Sequence, residues 1–116
     1  MLTAHHTIAF LVVAACFAAA LFGFLAYRRR AAGRTVAHLL ALAQTLVVAQ
    51  VGLGLLLLSG GHRAPDRLHY AYGAFALFAV LSPWLYAPAD PRRRLAWFAG
   101  AMLLGGALAV RAYMTA

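Results

Sequence analysis

Four apolar stretches, at about residues 3–27, 35–58, 67–87 and 94–113, leave this chain few ways to fold. Each is close to the ~20 residues that a helix needs to cross the hydrocarbon of a bilayer. None contains an acidic residue, and none shows the period-2 alternation of a membrane β-strand. Of the 116 residues 66% are hydrophobic and 10% charged, with a mean hydropathy of +0.84. A soluble domain carries about 25% charged residues, so this chain cannot cover a water-facing surface. A soluble globular fold and a disordered chain are both excluded.

Charge then sets the orientation. Ten arginines, no lysine, and only Asp66 and Asp90 against them give a net charge of +8. On a soluble chain that excess would suggest a nucleic-acid surface. Here the arginines sit between apolar runs and act as topology signals, so no nucleic-acid partner is expected. The first connection carries Arg28, Arg29, Arg30 and Arg34, and the third carries Arg92, Arg93 and Arg94. The opposite side holds only Arg63, Arg67 and Arg111. Seven against three put the first and third connections in the cytoplasm and both termini outside.

Short connections make neighbouring helices antiparallel. The expected fold is therefore all-α: an integral membrane up-down four-helix bundle, N-out and C-out, forming one domain over residues 1–116. The first span has no positive n-region and no cleavage site, and reads as a retained anchor. The expected location is multi-pass in a plasma membrane of prokaryotic type. The lipid bilayer is the first partner, with other membrane subunits or a second copy of the chain as further ones. Pro65, Pro88 and Pro91 mark connections, while Pro83 predicts a kink or stop at the end of the third span. Cys16, alone in an apolar run, reads as a small buried hydrophobe. Trp84, Trp97, Tyr27, Tyr86 and Tyr113 near span ends suit interfacial belts.

The halves of the chain resemble one another. Aligning His5 with His69 brings Ala9 onto Gly73 and Arg28-Arg29-Arg30 onto Arg92-Arg93-Arg94. Two similar hairpins, related by an axis along the membrane normal, account for this register.

Of five histidines, the topology places His5, His6, His62 and His69 on the outer side and His38 on the inner. His38 and His62 lie at span ends, where headgroups and water satisfy an imidazole. His5 and His69 differ, because each has a small residue one helical turn on: Ala9 and Gly73. Positions i and i+4 share a helix face, so each imidazole stands over a recess flat enough for a porphyrin. His6 has Phe10 in that place and points about 100° away from His5, which makes it the alternative ligand. The bland alternative for each pair is an interfacial histidine above a packing residue. Helices 1 and 3 of an up-down bundle face each other diagonally, roughly 11–14 Å apart from neighbour spacings of ~8–10 Å. Two histidines at equal depth across that gap suit a six-coordinate haem b, with His5 and His69 as iron ligands. Zinc would call for three or four clustered ligands, and no span offers a carboxylate.

Other residues fit around such a cofactor. Gln50 and Gly54 share a face of the second span, where glutamine needs a partner and glycine admits close approach; ordinary helix packing is the alternative. Arg63, Arg67 and Arg111 on the outer side suit propionates, and headgroup phosphates equally. Gly100, Gly105 and Gly106 read as close-packing residues.

The segment Ala49-Gln50-Val51-Gly52-Leu53-Gly54, followed by an outer loop and His69-x-x-x-Gly73, resembles the haem A synthase family. Such proteins have two similar four-helix halves, each with haem-binding histidines on its first and third helices near the outer side. This chain resembles one such half, and membrane b-type cytochromes more loosely. The resemblance implies haem at His5 and His69. Met1, Leu2 and Thr3 supply no acidic residue one turn before His5, and outer-loop cysteines are absent. Asp66 is the sole outer carboxylate, which leaves little for acid–base catalysis. The expectation is thus a small haem b-binding membrane protein for electron transfer, haem handling or service as an accessory subunit of a respiratory complex. A cofactor-free structural or assembly subunit and a haem A synthase-like enzyme are the alternatives.

Overall fold

The computed structural model describes residues 2–30 and 33–116. They form five helices: α1 (Leu2–Arg29), α2 (Arg34–Ser59), α3 (Leu68–Leu81), α4 (Pro83–Tyr86) and α5 (Pro91–Met114). No strand occurs among the described residues. With α3 and α4 taken together, four helical segments are long and apolar enough to cross a membrane.

Local chemistry sets the ends. Arg30 takes the left-handed region, φ 52°, and halts α1 just after Arg29. At the end of α2, Gly61 has φ 87°, and the amides of Gly61 and His62 donate back to the carbonyls of Leu58 and Leu57. That paired closure needs a positive φ, which glycine adopts without steric cost. Asp90 caps α5 by accepting from the Arg93 amide at 3.0 Å, and Pro91 occupies the first helical position.

Pro83 breaks the third span as expected, between Leu81 and a four-residue α4. It has no N–H to offer the preceding turn. Side chains satisfy the freed carbonyls: Ser82 Oγ donates to Ala79 O at 3.0 Å, and Gln44 Nε2 donates across from α2 to Val80 O at 3.0 Å. Trp84 Nε1 closes the group by donating to Gln44 Oε1 at 3.2 Å.

α1 lies between α2 and α5, α3 also lies between α2 and α5, and α1 and α3 stand across the diagonal. Small residues let the helices approach. A Cβ at Gly23 would meet Ala99, one at Gly105 would strike Val80, and one at Gly106 would press on Cys16 and Phe17. The core is accordingly slim: Val12, Cys16, Ala19, Ala43, Val47, Val80 and Met102. Cys16 is fully buried, as its apolar setting suggests. Large side chains such as Leu55, Phe78 and Leu85 face outward.

The sequence register between the halves does not carry over to the helices. Arg28 and Arg29 close α1, whereas Arg92, Arg93 and Arg94 open α5. The histidines keep their equivalence, in the first turns of α1 and α3.

Candidate functional site

His5 and His69 meet across the diagonal. Their ring centroids lie 6.1 Å apart with planes at 76°. Their helices are otherwise separated by α2 and α5, so these side chains bridge the bundle.

His5 is 8% exposed, the one buried polar or charged residue among those described. His6, next to it, is exposed. Of the two candidates on α1, His5 is therefore the one turned into the bundle. Gly54 makes room for it: a Cβ there would come within 3.2 Å of His5 Cε1. The close approach anticipated at Gly54 is thus that of an imidazole. Gln50, one turn earlier on the same face of α2, is half-buried beside it. His5 Nδ1 and Gln50 Oε1 are both buried without a hydrogen-bond partner. Such atoms are rare, because each forfeits its hydration for nothing.

His69 is oriented differently. Its Nδ1 lies 2.7 Å from Ala112 O on α5. A carbonyl only accepts, so Nδ1 carries a proton, and in the neutral imidazole Nε2 then keeps its lone pair. A carbonyl that holds Nδ1–H in this way orients the ring and leaves Nε2 as its acceptor atom. The neighbouring connection is tied down by Tyr70, whose hydroxyl accepts from the Ala64 amide at 2.8 Å, and by Asp66 Oδ1, which accepts from the Leu68 amide.

The smaller positions are mixed. Gly73 faces open space, since a Cβ there would meet nothing within 4 Å, and Ala9 is half-buried. Arg111 sits over Tyr72, its guanidinium carbon 5.4 Å from the ring centroid and Nη2 3.5 Å from the hydroxyl. Arg63 and Arg67 are exposed and make no side-chain hydrogen bond among the described residues. His38 and His62 are exposed as well. No group of three or more His, Cys, Asp or Glu residues that could hold a metal ion occurs among the described residues. Gly105 and Gly106 are packing residues as expected; Gly100 is not, for its missing Cβ opens on a cleft of about 370 Å³ on the other side of the proline break.

Two partners had escaped sequence reasoning. The Ala112 carbonyl has no signature in side-chain chemistry. Gln44 had one, being a polar residue inside an apolar span just as Gln50 is. No family model, curated protein or solved structure matches the chain.

Proposed function

We propose that this is a small multi-pass membrane protein that holds haem b between His5 and His69, for electron transfer, haem handling or as an accessory of a respiratory complex. The observation that carries the reading is the histidine pair itself. Two imidazoles converge from helices that face each other across the diagonal of the bundle, one with its tautomer set by Ala112 and the other with a buried nitrogen in want of a partner. Gln50 Oε1, also unpaired, adds a second polar atom awaiting a ligand.

The bilayer setting follows from the outward-facing apolar side chains and from a length of 47 Å, against ~40–45 Å for a membrane with its headgroups. The arginine distribution makes the histidine end the outer one. Sealed cells should label a cysteine introduced near Gly61 from outside and protect one near Gly33; the reverse pattern would invert the topology.

Iron between two imidazoles supplies one-electron chemistry. The chain's own part is to hold both rings at fixed separation, to orient His69 through the Ala112 carbonyl, and to leave the Gly73 face clear. Asp66, the sole outer carboxylate, accepts from the Leu68 amide through Oδ1, and we read the protein as a carrier rather than a catalyst. Detergent-purified protein should show the absorption of low-spin, six-coordinate haem. Purified protein that neither retains nor takes up haem would return the chain to a cofactor-free structural or assembly subunit.

A further inference from the structure

A second site lies at the arginine-rich end, in the cleft of about 370 Å³ between the broken third span and α5. Ala79, Ser82 and Tyr86 form one wall, and Trp97, Gly100 and Leu104 stand on the other. Its volume is at the lower end of the range for small-molecule sites. Gly100 contributes open space, unlike Gly105 and Gly106, which are filled by neighbouring helices.

The hydroxyls at this cleft narrow the choice of occupant. Ser82 Oγ donates to the Ala79 carbonyl, so at 3.0 Å from Tyr86 Oη it can only accept, and Tyr86 spends its hydrogen there. Neither hydroxyl has a proton left for a ligand. A quinone or other carbonyl-bearing ring would find no hydroxyl donor in the cleft, only the Trp97 indole N–H, whereas a hydrocarbon chain needs none.

Charge supplies the other half. Of three successive arginines that open α5, the outer two are occupied by the protein. Arg92 Nε donates to Tyr27 O at 3.0 Å with its guanidinium 3.9 Å from the Tyr27 ring centroid. Arg94 Nη1 donates to Ala87 O at 3.3 Å, and its guanidinium lies against Trp84 and Phe98. Arg93, exposed between them, makes no side-chain hydrogen bond or ion pair among the described residues. It lies one turn before Trp97, and Gly100, Ala101 and Leu104 continue that face of α5. Arg93 thus shares the face of α5 that lines this apolar cleft.

We propose that this cleft binds one anionic phospholipid of the arginine-side leaflet, with its phosphate on Arg93 and an acyl chain between Ala79 and Gly100. The proposal depends on the chain crossing a bilayer but not on the histidine pair. The chain has two tryptophans, so Trp84→Phe leaves Trp97, in the cleft wall, as the single reporter. Full-length protein reconstituted in phosphatidylcholine vesicles is titrated with brominated phosphatidylglycerol or brominated phosphatidylcholine, and Trp97 quenching is followed.

Brominated phosphatidylglycerol should bind roughly five-fold better, the order expected for one arginine near an anionic headgroup. Arg93→Gln should bring the two lipids level, Arg34→Gln should leave the preference intact, and Gly100→Leu should weaken quenching by both. If Trp84→Phe does not reconstitute, native mass spectrometry of the wild-type and Arg93→Gln chains with the same unbrominated lipids gives the same comparison. Equal quenching by both headgroups would overturn the proposal, as would a preference that survives Arg93→Gln. Displacement of the brominated lipid by a short-chain quinone would overturn it too, in favour of a ring ligand.

Discussion

The two ends of the bundle treat buried polar groups in opposite ways. Around Pro83 the freed groups are answered: Val80 O by Gln44, Ala79 O by Ser82, Ala87 O by Arg94, and Gln44 itself by Trp84. Around the histidines, His5 Nδ1 and Gln50 Oε1 have no answer. Two glutamines, Gln44 and Gln50, lie on the same helix α2 and meet these two fates. In an apolar surrounding an unpaired polar atom costs about 1–3 kcal/mol, so these two atoms carry a cost at the histidine end that the proline end avoids.

The largest test of this contrast is the removal of the ligands. His69→Ala and His5→Ala should each abolish haem or leave a five-coordinate, high-spin remnant, read as haem per protein and spin state. His6→Ala should have a much smaller effect, because His6 is exposed, and His38→Ala none. If His38→Ala loses haem while His69→Ala keeps it, the assignment of ends is wrong.

Two glycines sharpen the comparison next. Gly73→Leu should expel haem while leaving the apoprotein folded, since the position faces open space. Gly105→Ala should do the reverse, destabilising the bundle by about 1–3 kcal/mol through overpacking against Val80, with haem affinity changed only as far as folding is. Unfolding titrations in mixed micelles and haem spectra separate the two effects. Equal loss of stability in both variants would remove the distinction between an open face and a packed one.

Smaller effects are expected at the glutamines. Gln44→Leu strands the Val80 carbonyl and the Trp84 N–H and should cost roughly 1–2 kcal/mol of stability. Gln50→Leu removes an oxygen that has no partner, so apoprotein stability should stay within about 0.5 kcal/mol of wild type or rise. A fall at Gln50 as steep as at Gln44 would mean that Gln50 is paired after all.

Much of this molecule is legible in its sequence. The four apolar stretches predicted the four long helical segments to within a few residues at each end, because burial of backbone polar groups in hydrocarbon allows little besides a helix. Pro83 announced its break, since a missing N–H is a local fact. His5 and His69 were distinguished from His6 by helical periodicity alone, which fixes the face on which a side chain lies. Three things needed the tertiary structure. The Ala112 carbonyl orients His69, yet every residue has a carbonyl and only the approach of α5 selects this one. Gly54 and Gly100 look alike in sequence, but one seats the His5 ring and the other opens a cleft, as the spacing between helices decides. Arg93 differs from Arg92 and Arg94 only in what lies beside it, because successive residues on a helix point about 100° apart and meet different neighbours.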